Sequence, residues 1–268
     1  MDEHHRGILY PQRLPEFHRI PPTPALSHAV RWFWIPEWDL PTGTESRQEV
    51  LPFPACNIVI EPDGITAVGP TTRASERVLS GNGWAVGALL HPAAVPAVVP
   101  DPATLRDASR TVDDPELHRT IRTAMQDLRK AGELRRALAV DALTTWLTER
   151  VADPEPGSDG AIANALAARL SDPDITRVDQ LPGEIHVSLR TLQRIAERHF
   201  GLSLHSMIRR RRLQEGALRL REDPTLSLAA LAAELGYSDH AHFTTDFKAV
   251  LGITPSDYRG HTATSGPN

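Results

Sequence analysis

A single cysteine in 268 residues, Cys56, leaves no internal disulfide to form, so packing and hydrogen bonds must hold the fold, which suits a reducing compartment. Aromatic residues are scarce too, at 5%. No apolar run is long enough to span a bilayer: the longest, Trp84 to Val99, is broken by His91, Pro92 and Pro96. Met1-Asp2-Glu3-His4-His5-Arg6 carries charge with no apolar core behind it, unlike a signal peptide. These features together predict a cytoplasmic protein with no membrane partner. The signatures of common catalysts are also missing, since there is no Gly-x-Ser-x-Gly elbow, Walker loop or dinucleotide-binding glycine run. A metal-dependent barrel needs clustered histidines and carboxylates, commonly with a His-x-His pair on one strand. Before Val112 the histidines are His4, His5, His18, His28 and His91, with no such pair. His240-Ala241-His242 is the only His-x-His, and on a helix residues two apart face different directions. No catalytic residue, metal or cofactor is therefore expected. Cys56 follows Pro52-Phe53-Pro54-Ala55 and precedes an apolar run, the setting of a buried and inert thiol.

What is present is an ordinary globular composition, 40% hydrophobic and 24% charged, in a chain long enough for two domains. Its carboxy-terminal third holds one pattern written twice, at a period of about fifty residues. In the first copy Val178 and Leu181 precede Val187-Ser188, Leu192 and Ile195, and the copy closes on Phe200-Gly201-Leu202-Ser203. In the second, Leu228, Leu231, Gly236-Tyr237-Ser238, Phe243 and Phe247 lead to Leu251-Gly252-Ile253-Thr254. Each reads as a short helix, a tight turn and a longer helix. Leu192, Ile195, Ala196 and His199 share one face of the longer helix, while Arg190, Arg194 and Arg198 line roughly the opposite one. Ser188 and Asp239 are suited to cap the two longer helices. Such a unit is a helix-turn-helix, whose second helix enters the DNA major groove.

These residues resemble the DNA-binding domain of the AraC/XylS family of bacterial transcription regulators. The resemblance rests on Arg212-Leu213, Leu226-Ser227-Leu228-Ala229-Ala230-Leu231-Ala232, Leu235-Gly236-Tyr237-Ser238, Phe243, Phe247, Lys248, Gly252 and Thr254-Pro255-Ser256-Asp257-Tyr258-Arg259. It implies two helix-turn-helix units joined by a long helix over about Leu204 to Arg221, with Leu213, Ala217 and Leu220 as one apolar stripe and Met207 and Leu218 on another side. It also implies that Arg190, Thr191, Gln193, Arg194 and Arg198 of the first unit, and His240, Ala241, His242 and Thr245 of the second, face promoter DNA. The first copy departs from the pattern at Pro182-Gly183 and at His186, which stands where the second copy has Gly236, so its supporting helix is expected to be short or kinked. The net charge of −5 is unevenly spread. From Ala161 onward there are 13 Lys and Arg against 12 Asp and Glu, or +1, while residues 1–160 hold 16 against 22, or −6. Arg209-Arg210-Arg211-Arg212 is either a phosphate-contacting run or a helix face with internal carboxylate partners.

Upstream, a proline-rich lead from Pro11 to Pro24 gives way to strand-like runs at Val30–Ile35, Asn57–Glu61, Ile65–Val68, Arg77–Leu79 and Trp84–Leu90. Glu61-Pro62-Asp63-Gly64 reads as a hairpin turn. Two helical sets follow, Leu117/Ile121/Met125/Leu128 and Leu134/Leu138/Ala142/Leu143/Trp146/Leu147, which either pack on the β-domain or form a dimer surface. The expected fold is thus α+β: a small antiparallel β-domain, a cupin-like barrel or a sandwich, with helices over residues 1–152, a linker over 153–160, an all-α double helix-turn-helix over 161–260 and a tail over 261–268. Trp32, Trp34 and Trp84 in the β-rich part are candidate walls of a ligand pocket, with Trp32 and Trp34 on one strand face. The function expected is a sequence-specific transcription regulator, no enzyme, whose first domain senses a small-molecule effector or mediates homodimerisation, with RNA polymerase as a further partner of the promoter complex. The alternative is an effector-binding or enzymatic first domain to which DNA binding is secondary.

Overall fold

The computed structural model describes residues 16–50 and 54–264; His4, His5, the first part of the proline-rich lead, Pro52, Phe53 and the end of the tail lie outside the described residues. Among the described residues nine strands come first: β1 (Glu16–Ile20), β2 (Val30–Asp39), β3 (Glu45–Val50), β4 (Asn57–Glu61), β5 (Gly64–Val68), β6 (Ser75–Ser80), β7 (Asn82–Trp84), β8 (Val86–Leu90) and β9 (Ser109–Thr111). All pairings are antiparallel. One sheet runs in the order β1-β2-β8-β4-β5-β9 with β7 paired to β2, and β3 and β6 make a separate two-stranded ribbon. The β4–β5 hairpin turns at the expected place, with Glu61 opposite Gly64. β8, at the centre, reads Val-Gly-Ala-Leu-Leu and is buried along its whole length, as a strand covered on both faces must be. A short helix α1 (Val95–Val98) follows, then α2 (Pro115–Gln126) and α3 (Gly132–Thr148). Leu117, Ile121 and Met125 of α2 and Ala139, Leu143 and Leu147 of α3 enter the same core as Phe33, Ile58, Ile60 and Val86 of the sheet, so the helix pair packs on the β-domain. Leu128, Leu134 and Leu138 of the two helical sets remain on the surface. Asp114 caps α2, accepting from Leu117 N (3.0 Å) and from Trp146 Nε1 (2.7 Å), and so ties the two helices together.

The rest is helical: α4 (Asp159–Leu170), α5 (Leu181–Ile185), α6 (Leu189–Phe200), α7 (Leu204–Glu222), α8 (Leu228–Glu234), α9 (His240–Leu251) and α10 (Pro255–Thr264). Two cores hold them. Ala163, Leu166 and Leu170 of α4 meet Leu192, Ile195 and Phe200 of α6 in one, and Leu231, Phe243, Phe247 and Tyr258 form the other. α7 belongs to both, giving Leu204, Met207 and Ile208 to the first core and Leu213, Ala217 and Leu220 to the second. The departures in the first copy have the expected effect. α5 is five residues long, and His186 ends it in the left-handed region at φ 60°, a position that suits glycine. The linker is shorter than its composition suggests, because Ser158 accepts from Ala161 N and starts α4 at Asp159.

Candidate nucleic-acid interface

Each helix-turn-helix is built by the same local rules. Ser188 Oγ accepts from Thr191 N (3.2 Å) to start α6, and Asp239 accepts from His242 N (2.7 Å) to start α9. Gly201 at φ 64° and Gly252 at φ 81° end them in the left-handed region. α6 buries Leu192, Ile195, Ala196, His199 and Phe200 and leaves Arg190, Gln193, Arg194 and Arg198 exposed, with Thr191 half-buried. α9 buries Phe243, Phe247, Val250 and Leu251 and exposes His240, Ala241, His242 and Thr245. The nine candidate DNA-facing residues therefore fall on the solvent sides of the two second helices. They are not equally free. Arg194 donates two parallel hydrogen bonds to Asp159 (2.6 and 2.9 Å), and Arg198 Nη1 stands 3.8 Å from the same carboxylate. Hydrogen-bonded to that guanidinium, the Asp159 carboxyl sits below the usual carboxylate range. Thr245 donates its hydroxyl back to the Ala241 carbonyl (2.9 Å).

The four-arginine run faces inward to its own protein. Arg209 makes a two-pronged contact with Asp246 of α9 (2.8 and 2.7 Å), Arg211 donates to the Ile175 carbonyl (3.0 Å), and Arg212 lies 3.9 Å over the Tyr237 ring. Arg210 is 2% exposed, and burial lowers its pKa to about 10, with Asp107 of the β-domain the charge that opposes the shift. Of the two readings of this run, internal pairing is what the geometry supports.

The β-domain is bonded to the first unit at the carboxy end of α6. His199 Nδ1 lies 2.9 Å from the Pro92 carbonyl, and Arg106 donates twice to the Gly201 carbonyl (3.1 and 2.8 Å). Asn164 of α4 accepts from Ala93 N (2.9 Å) and donates to the His28 carbonyl (2.8 Å). A Cβ on Gly201 would stand 2.6 Å from the carbonyl carbon and oxygen of Pro102, so only glycine permits the contact. The second unit receives a main-chain bond, from Ala74 N to the Val250 carbonyl (2.8 Å). None of these contacts was legible in the sequence, because most end on backbone atoms; Gly201 stands out only as a helix-ending glycine.

His199 makes this docking pH-dependent. Burial pushes the imidazole below its ordinary 6.5, the Pro92 carbonyl works the other way, Arg198 and Arg194 add to the fall and Asp159 opposes it. The docked form thus holds the neutral ring, donating from Nδ1. Between the depressed pKa and 6.5 the unfolded chain binds a proton that the folded chain does not, so stability is full above 6.5 and falls as pH drops through that window. Thermal unfolding from pH 7.5 to 5 is expected to show that loss in the parent and a flatter profile in His199→Asn, whose amide can still donate to Pro92. Identical slopes would remove His199 as the cause.

Of the three candidate tryptophans, Trp84 lines a cavity of about 630 Å³, together with Trp38, Glu37, Asp39, Met125 and Arg135. Trp32 and Trp34 do not line it. They share a strand face, as the spacing predicts, which is the half-buried face opposite Phe33 and Ile35. Trp34 stacks on Phe17, donates to Asn57 (3.1 Å) and lies over Gly87, while Arg19 and Arg31 flank Trp32. Cys56 is buried, and burial raises its thiol to about 12. Among the described residues no three His, Cys, Asp or Glu stand together as a metal site, and no helix is long and apolar enough to cross a membrane.

A β-rich domain docked on two tandem helix-turn-helix units sharing one long helix defines the class: a protein with a double DNA-reading module. A family model described as a helix-turn-helix domain matches residues 183–261, and one described as a domain of unknown function, DUF6597, matches 18–109. The probable transcription factor PqrA of Proteus vulgaris is 32% identical over 94 residues, 35% of this chain and 76% of that protein. The chain belongs to the AraC/XylS family of transcription regulators. A putative AraC-like transcription regulator of Streptomyces lividans is 30% identical over 175 residues, 62% of this chain and 55% of that one. One from Streptomyces antibioticus is 34% identical over 124 residues, 46% of this chain, and the chain spans about a third of the length of several curated relatives, 38% in this case.

Proposed function

We propose that this chain is a cytoplasmic, sequence-specific regulator that docks α6 and α9 in the major groove of promoter DNA and takes its instruction from the β-rich domain. The observation that carries the reading is the pair of capped, outward-facing second helices on one shared helix, α7, whose 19 residues extend about 28 Å. α6 supplies most of the affinity. It exposes Arg190, Arg194 and Arg198, whereas the cation exposed on α9 is Lys248, and Asp246 there engages Arg209. Each phosphate-neutralising cation releases counterions, so the unit richer in arginine binds harder and with a steeper salt dependence. The Trp84 cavity is where an effector would bind, and Leu128, Leu134 and Leu138 are exposed apolar residues that a second copy would cover. Docking at Pro92, Pro102 and Arg106 carries the state of the first domain to the end of α6. Selection of the full chain on randomised duplex DNA tests the assignment: a two-part motif with the more constrained half belonging to α6 is expected, and recovery of no motif would overturn it.

A further inference from the structure

We propose that Asp159 is a specificity-determining positioning residue, which holds the guanidinium of Arg194 so that its remaining donors read one guanine in the groove. The inference rests on α6 being the helix that enters the groove. A guanidinium has five N–H donors in a fixed fork. Asp159 takes one from Nη1 (2.6 Å) and one from Nη2 (2.9 Å), the end-on edge, and leaves the edge that contains Nε free. That edge still offers two parallel donors, the pattern that pairs with the O6 and N7 acceptors of guanine. A long arginine side chain otherwise loses much rotamer freedom on binding, and a carboxylate that holds it beforehand lowers that cost. The carboxylate itself is well placed to hold. Asp159 lies in the first turn of α4, where the helix dipole favours a negative charge, and α4 is a rigid element fixed to the β-domain through Asn164. Arg198, 3.8 Å away, shares the same carboxylate. Exposed ion pairs in general contribute little to stability, so the pair's role is to orient the reader, and it is specificity, not melting, that registers its loss.

The test uses the full chain, as parent, Asp159→Asn, Arg194→Ala and Arg194→Lys, each selected on randomised duplex DNA at one salt concentration. The parent is expected to prefer guanine strongly at one base pair, and Arg194→Ala to lose that preference. Asp159→Asn is expected to relax the same pair by about fivefold or more, the low end of a two-pronged arginine–guanine contact, with the rest of the motif kept. Arg194→Lys keeps the charge and a donor to guanine but has no planar fork for a carboxylate to hold by one edge, so its base preference should be indifferent to Asp159→Asn added to it. An Asp159→Asn motif identical to the parent's overturns the proposal. So does tighter binding to every sequence with unchanged base preference, which would make Asp159 a competitor of the DNA phosphates, and so does a further relaxation of that base pair when Asp159→Asn is added to Arg194→Lys. A parent that recovers no motif would instead sink the reading of α6, and this inference with it.

Discussion

The double substitution Arg190→Ala, Arg194→Ala is expected to weaken binding to the selected operator on the order of a hundredfold at moderate salt, while the unfolding transition stays in place. Two-pronged arginine–guanine contacts are worth about 1–3 kcal/mol each in discrimination, and each lost cation also lowers the slope of log affinity against log salt by about one. Both side chains are exposed on α6, and the core beneath them, Leu192, Ile195 and Phe200, is untouched by the change. Thr245→Ala on α9 is expected to cost only a few-fold. Its hydroxyl already donates to the Ala241 carbonyl, so what it offers DNA is an acceptor and a methyl group, worth less than a charged donor pair. Titration of labelled duplexes across salt concentrations measures both. Equal losses from Arg194→Ala and Thr245→Ala would show that the two helices contribute alike and that the arginine asymmetry has no functional weight.

Gly201→Val is expected to separate the β-domain from the double reader. The residue is held at φ 64°, where a branched side chain is strained by about 1–2 kcal/mol, and its new Cβ would meet the Pro102 carbonyl at 2.6 Å. The obstacle is backbone, with no side chain that can swing aside. Opening the contact would also take the Gly201 carbonyl from Arg106 and the Pro92 carbonyl from His199, so a total loss of about 2 kcal/mol or more is expected. Calorimetry should then resolve two transitions where the parent shows one, and proteolysis should cut the segment before Ser158 faster. A single transition at the parent's temperature would mean that the two domains do not depend on this contact.

The double reader was readable in the sequence because its signals are local and repeated. Apolar positions recur at helical spacing, each second helix begins on a side-chain cap and ends on glycine, and the second copy repeats the first. The β-domain was half readable. Its buried strands β4, β5 and β8 announce themselves by apolar content, and the Glu61–Gly64 turn by its residues. β3, with the sequence Glu-Ser-Arg-Gln-Glu-Val, carries almost no apolar signal, because it lies in a ribbon apart from the main sheet. β1 hides among prolines, although Glu16–Ile20 pairs with β2 along its whole length. Trp32 and Trp34 show the limit of such a signal: an aromatic pair at period two marks a shared face, and says nothing of what packs there, which here includes Phe17, Arg19 and Arg31. Asp159 was lost in a segment whose prolines, glycines and acids read as linker, when Ser158 three residues before Ala161 is itself a helix start.

The shared helix α7 also acts as a ruler with coarse graduations. Each residue added to it would turn one reader against the other by about 100° and shift it about 1.5 Å. One, two or three extra residues would swing α9 away from the groove that α6 occupies. Seven would bring it back to within about 20° while moving it about 10 Å, roughly three base pairs along the duplex. The distance between the half-sites this architecture can serve therefore changes in jumps, and a lineage that alters α7, from Leu204 to Glu222, must change its operators by the same step.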